Sequence, residues 1–249
     1  MKVLADETTA GVRRREIVVD DEGRHVPGAL WTPLEHAEPL PLVLIGHGAS
    51  GSKDQDYVVS LARSLAADFG IAAAAIDGPV HGSRRADGGL DPQQSFLEFA
   101  TMWSSDSDMT DRMAADWKVA LDELSALDEI SGPVGYWGLS MGTIIGLPFV
   151  AADPRISVAV LGLMGMTGPT SARIGQDARE ITCPVLFLVQ WSDELFPRMT
   201  AFELFDLLGS SDKSLHANPG THGEVPNHEF AASTRYLARR LSAGQSAAT

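Results

Sequence analysis

The sequence predicts an α/β fold, a mostly parallel central sheet of about eight strands flanked by helices on both faces. Three observations predict it. Short, unbroken apolar runs recur along the chain, segments of helical spacing separate them, and glycine-bearing turns follow several of the runs. A strand covered on both faces reads as a continuous apolar stretch, and parallel pairing needs a crossover helix between neighbours.

The elements follow in order. Residues 15–19 and 25–32 flank the acidic stretch Asp20-Asp21-Glu22-Gly23, which predicts a β-hairpin. Residues 40–45 and 71–76 read as central strands. Between them, Val58, Leu61, Leu65 and Ala66 give residues 57–69 a helical apolar face. Residues 134–137 are the third central strand, with a helix over 140–151 behind it. Strands at 156–163, 185–189 and 214–217 complete the sheet, with helices over 198–208 and 226–242. Neither an internal repeat nor a linker divides the chain, so residues 1–249 read as a single domain with a small polar tail expected to fray.

One stretch departs from simple alternation. About fifty residues separate the strand ending near Asp77 from the strand at Val134, more than one crossover helix requires. Residues 111–127 supply that crossover. Residues 91–109 are an extra helical insertion whose apolar set is Phe96, Leu97, Phe99, Met102 and Trp103. Its position suits a lid or a pocket wall as well as it suits core packing.

Composition excludes several classes of function. The 249 residues are 44% hydrophobic and 21% charged, which is ordinary for a globular enzyme. A formal net charge of −14 repels nucleic acid and anionic membrane surfaces, so neither is an expected partner. Cys183 is the single cysteine, so no internal disulfide can form, and it opens an apolar run that suits a buried thiol. The N-terminus lacks the apolar core of a signal peptide, and no apolar run approaches the ~20 residues that span a bilayer. A cytoplasmic location is expected. No H-E-x-x-H or C-x-x-C spacing occurs, so neither a metal nor a cofactor is expected.

The chemistry centres on Gly138-Leu139-Ser140-Met141-Gly142, set between an apolar strand and an apolar helix start. A G-x-S-x-G turn in that setting is a nucleophile elbow: the turn is strained, and its glycines let strand and helix backbones approach. Reactive groups in a parallel sheet gather at the carboxyl ends of strands. Asp193 follows the strand at 185–189 and His222 follows the strand at 214–217, which gives the order Ser140, Asp193, His222. A serine hydroxyl needs an imidazole to take its proton, and the imidazole needs a carboxylate to fix its tautomer. Glu194 competes with Asp193, and His216 and His228 compete with His222. Gly46-His47-Gly48-Ala49-Ser50-Gly51 is a glycine-rich turn whose Ala49 N–H, with the Met141 N–H, forms the natural pair of oxyanion donors. His47 and His81 read as loop-bracing residues. Arg84 and Arg85 stand near the expected pocket mouth, either as solvated charges or as a clamp for a substrate carboxylate. Met102, Trp103, Trp191 and Phe196 are the bulky residues expected to crowd the pocket.

These motifs, with Asp77-Gly78-Pro79-Val80-His81-Gly82-Ser83, Pro197 four residues after Asp193, and Pro219-Gly220-Thr221-His222, resemble the α/β-hydrolase superfamily. Within it they resemble the dienelactone-hydrolase-like and small serine esterase branch, from about residue 40 to the last helix. The resemblance implies Ser140 as nucleophile, Asp193 as acid, His222 as base, and Ala49 and Met141 as oxyanion donors. Two departures matter. Dienelactone hydrolases proper use cysteine where this chain has Ser140, and no large cap follows the strand ending near Leu163.

The expected function is therefore hydrolysis of a small, short-acyl carboxylic ester through an acyl-enzyme. An acyltransferase, a C–C, amide or thioester hydrolase, and a non-catalytic binding module remain alternatives. The sequence leaves the oligomeric state open, a homodimer being one option.

Overall fold

Each apolar run becomes a strand whose alternate side chains feed two separate cores. In the computed structural model, which describes residues 1–21, 23–88 and 91–246, Leu42 and Leu44 point into one core while Val43 and Ile45 point into the other. The period-2 geometry of a strand makes this division unavoidable once both faces are covered.

Nine strands are present among the described residues. They are β1 (Lys2–Thr9), β2 (Val12–Asp21), β3 (Arg24–Pro33), β4 (Leu40–Gly46), β5 (Ala72–Ile76), β6 (Ile130–Gly138), β7 (Ile156–Gly162), β8 (Val185–Gln190) and β9 (Lys213–Asn218). They form one sheet in the order β1-β2-β3-β5-β4-β6-β7-β8-β9. The pairs up to β3–β5 are antiparallel, and every pair from β5 to β9 is parallel.

The helices are α1 (Asp56–Phe69), α2 (Pro92–Ser105), α3 (Met109–Ser125), α4 (Met141–Ala152), α5 (Ser171–Glu180), α6 (Arg198–Leu207) and α7 (Asn227–Ser246). Helices α1 and α7 cover one face through Val58, Leu61, Leu65, Leu237 and Leu241. Helices α3 to α6 cover the other, through residues such as Trp117, Ile144, Phe149, Ile174 and Leu204. None of the described helices is long and apolar enough to cross a membrane.

Two elements depart from the sequence expectation. Strand β1 is a ninth strand; every one of its residues is exposed, so no buried face leaves an alternating trace. Cross-strand ion pairs to β2, Asp6–Arg13 and Glu7–Arg14, run along it instead. Helix α5 was also not expected, because only Ile174, Gly175 and Ala178 of its ten residues are buried.

The topology selects where a site can form. The chain builds from β4 toward β5 on one side and from β6 toward β9 on the other, so the sheet order reverses between β4 and β6. Loops leaving the carboxyl ends of those two strands diverge and leave a crevice.

Candidate active site

Ser140 stands at that crevice, between the end of β6 and the first turn of α4. Its backbone is left-handed, with φ 57° and ψ −120°, a conformation that costs a non-glycine residue of order 1–3 kcal/mol. The surroundings enforce it. A Cβ at Gly142 would lie 2.4 Å from the Gly46 carbonyl oxygen, and one at Gly138 would lie 2.6 Å from that of Gly142. Only glycine at both positions lets β6, α4 and the β4 loop meet. The Ser140 N–H donates to the Gly162 carbonyl at 3.0 Å, and the buried Tyr136 hydroxyl donates to the Gly142 carbonyl at 2.7 Å.

Three side chains from three loops then join in one line. The Ser140 hydroxyl lies 2.8 Å from His222 Nε2, and His222 Nδ1–H donates to Asp193 Oδ2 at 2.8 Å. Asp193 Oδ1 accepts from the Leu195 and Phe196 amides at 2.9 and 2.8 Å. Burial alone would raise the Asp193 carboxyl, but the bonds from His222 and those amides outweigh it and hold it below the usual carboxylate range. It is therefore ionised at neutral pH. Glu194, the rival acid, instead accepts from the His222 backbone N–H at 2.9 Å. His216 pairs with Glu229, and His228 is exposed beside the same glutamate. Neither joins the line.

Ala49 and Met141 both line a cavity that reaches Ser140. Among the described residues, no backbone or side-chain acceptor in the protein meets the Ala49 N–H. Met141 N–H opens α4, where a helix leaves its amides without intrahelical acceptors and favours negative charge.

The β4 loop that carries Ala49 is braced from several sides. His47 Nε2 accepts from the Gly78 N–H at 2.9 Å while its Nδ1–H donates to the Gly48 carbonyl at 2.8 Å. Burial, with His81 beside it, lowers its pKa to about 4. His81 Nε2–H donates to the Ala49 carbonyl at 2.7 Å; burial keeps this ring below the ordinary histidine pKa although backbone carbonyls favour its charge. The Gly48 N–H donates to the Tyr57 hydroxyl at 2.7 Å. Beneath them, Lys53 and Asp77 form a buried ion pair at 3.3 Å, and Asp77 also accepts from the Lys53 and Ser83 amides.

Arg84 and Arg85 are both paired, Arg84 with Asp116 and Arg85 with Asp87 and Glu98. Cys183 is half-buried, and desolvation pushes its thiol up to about 11.

Two cavities meet at Ser140. One, of about 200 Å³, is lined by Phe96, Phe99, Trp103, Ile144, Leu195 and Phe196 together with Ala49 and Met141. The other, of about 240 Å³, shares Ala49 and Phe96 with the first and is also lined by Gln55, Tyr57, Trp137, Phe230 and His222. Trp103 and Phe196 line the first cavity. Met102 and Trp191 line neither. Met102 is adjacent to Trp103 on a helix, so it points about 100° away, into a groove with Arg24, Arg84 and Asp116. Trp191 is 49% exposed, with the Arg198 guanidinium 4.7 Å from its ring centre.

Sequence reasoning missed Lys53, Tyr57 and Gln190. Gln190 Nε2 donates to the Thr221 and Glu224 carbonyls at 3.2 and 2.8 Å, holding the loop that carries His222. The signal was a glutamine ending an otherwise apolar strand.

No protein-family model and no curated protein sequence matches the chain. Solved structures do. The PEG-bound complex of a cold-adapted esterase from an Arctic intertidal metagenomic library is 42% identical, over 97% of this chain and 100% of that one, with a TM-score of 0.85. A structure from Klebsiella pneumoniae subsp. pneumoniae assigned as a dienelactone hydrolase is 18% identical over 93% of this chain and 98% of that one, TM-score 0.74. Est1E from Butyrivibrio proteoclasticus with ferulic acid bound is 17% identical over 92% and 99%, TM-score 0.67. The last two share the fold. On the full-length likeness to the first, the chain belongs to the α/β-hydrolase superfamily, among its carboxylic ester hydrolases.

Proposed function

We propose that this esterase cleaves small carboxylic esters of short acyl chain through an acyl-enzyme, with Ser140 as nucleophile, His222 as base and Asp193 as its orienting carboxylate. The observation that carries this reading is the unbroken line Asp193–His222–Ser140, with both links at 2.8 Å, ending at two cavities. His222 takes the Ser140 proton as the hydroxyl oxygen attacks the ester carbonyl. Charge then develops on the carbonyl oxygen, which the Ala49 and Met141 N–H groups receive. The tetrahedral intermediate collapses as His222 gives its proton to the leaving alcohol, and water repeats the sequence to release the acid. Residues 1–249 act in this reading as one domain, and the insertion at 91–109 serves as a wall of the acyl pocket.

The test is turnover of p-nitrophenyl butyrate with phosphonate labelling. Ser140→Ala and His222→Ala each lower kcat by about 10⁶ and neither compounds the other, because the two act as a unit. Asp193→Asn lowers it by about 10⁴ through the wrong imidazole tautomer. Labelling of Ser140→Ala, or turnover near that of the unaltered enzyme, would remove the assignment.

A further inference from the structure

The two cavities at Ser140 share Ala49 and Phe96 but differ in the rest of their lining, and the Trp103 ring walls one of them. The base must hand its proton to the departing alcohol, so the alcohol lies on the side that His222 borders, the cavity shared with Gln55 and Phe230. The acyl group lies on the other side, in the cavity that Met141 borders and His222 does not. That cavity holds about 200 Å³. An apolar cavity of roughly 150 Å³ admits benzene, so this one takes a phenyl ring or a chain of about six carbons.

Trp103 forms one wall of it, and the ring is held on several sides. It stacks on Phe99 at 6.3 Å and 15°, and Phe196 meets it at 6.3 Å and 51°. Its Nε1–H donates to the Thr170 hydroxyl at 2.8 Å, which ties α2 to the connection between β7 and α5. Gly168, at φ +85°, lies directly behind it: a Cβ there would sit 2.4 Å from the indole Cη2. The indole fills the space a side chain at 168 would need. The middle of α2 is anchored separately by the Arg85–Glu98 ion pair.

We propose that Trp103, latched by Thr170 and backed by Gly168, sets the upper limit of acyl length, at about six carbons. The proposal rests on the reading of Ser140 given above. Up to the limit, rates vary by the modest factor that an apolar pocket gives each methylene. Beyond it, a chain enters only by moving the indole, which breaks the Thr170 bond and the stacking on Phe99. The profile therefore falls by a step between hexanoyl and octanoyl.

The experiment measures kcat/KM on p-nitrophenyl acetate through decanoate for the unaltered enzyme, Trp103→Ala and Thr170→Val, with Ser140→Ala alongside. Trp103→Ala moves the step outward and raises the decanoate-to-butyrate ratio at least tenfold, chiefly through KM. Thr170→Val, which keeps the ring and removes the latch, raises the same ratio by a smaller factor. Trp103→Phe, with a shorter ring and no N–H, is read in the same way should the alanine variant not fold. A series of alkyl butyrates reports the alcohol side, and Trp103→Ala leaves its order unmoved. An unchanged step in variants that still turn over butyrate would overturn the proposal while Ser140→Ala upholds the nucleophile. A shift confined to the alcohol series would reverse the cavity assignment and overturn it too. Activity surviving in Ser140→Ala would instead remove the reading beneath it.

Discussion

Two groups of loops meet at Ser140, and they are held by opposite means. On the β4–β5 side, His47, Lys53, Asp77 and His81 are all buried, and two imidazoles and an ion pair fix the backbone around Ala49. On the β8–β9 side, Glu194 and most of the stretch from Gly220 to Glu224 are exposed, and backbone hydrogen bonds to Gln190, Glu194 and Glu224 do the holding. The difference matches the work proposed for each. Oxyanion donors must be in place before charge develops, so their loop gains from rigidity. A base that trades protons with an entering water needs solvent within reach. Damage to the first side should appear as lost stability, and damage to the second as lost rate.

The sharpest way to break this contrast is Lys53→Met. The Lys53 ammonium is 1% exposed and Asp77 is fully buried, with Asp54 and Ser83 also on the ammonium. Removing one partner of a buried ion pair costs about 3–5 kcal/mol, because the remaining charge keeps its desolvation penalty. Asp77 retains two amide donors, so the lower end is expected. Urea unfolding at pH 7 measures it. A loss under about 1 kcal/mol would show that those two amides suffice and that the brace is not ionic.

The sequence made the reactive groups more legible than the parts that hold them. Ser140, Asp193 and His222 each follow a strand, and strand ends in a parallel sheet have one destination, so order alone brought them together. The braces gave no such signal. Lys53 reads as a surface lysine in a loop, since its burial depends on Asp77 arriving from another strand. The cavity lining is only partly legible, for a geometric reason. Phe96, Phe99 and Trp103 are three, four and seven apart and share a helix face, which the pattern did contain. Met102 has the bulk but not the helix face, and Trp191 stands on an exposed turn that sequence does not orient. Strand β1 left no trace because nothing buries it.

A milder way to sharpen the comparison is pH. His47 is neutral in the folded protein, and its Nε2 lone pair accepts the Gly78 N–H, so a proton there breaks that bond. Its folded pKa, about 4, lies below the ordinary histidine value of 6.5. A depressed pKa stabilises the fold above the unfolded value and loses that contribution as pH falls toward the folded one. Stability should therefore decline between about pH 6.5 and 4, by up to ~3 kcal/mol from this ring. Carboxylates titrate in the lower half of the same range, so the reading is a difference. His47→Asn should show a shallower dependence on pH than the unaltered protein, compared by urea midpoints at pH 7 and 4.5. Parallel curves would mean that the ring adapts to a proton without losing Gly78.

The smallest expected effect tests the other side. Gln190 is 1% exposed, and its amide reaches the Thr221 and Glu224 carbonyls that bracket His222. Gln190→Leu keeps the volume and removes both donors. The loop lies open to water, which can hydrate the freed carbonyls, so the stability loss should stay near 1 kcal/mol. The imidazole, however, loses the fixed frame on which its 2.8 Å approach to Ser140 depends. Misplacing a reacting group by about 1 Å can cost 10²-fold, so kcat on p-nitrophenyl butyrate should fall about 10- to 100-fold. Glu194→Gln, which keeps an acceptor for the His222 N–H, should fall less. If Gln190→Leu instead unfolds several kcal/mol more easily at unchanged kcat, both loop groups are structural braces, and the contrast between a rigid oxyanion side and a hydrated base side fails.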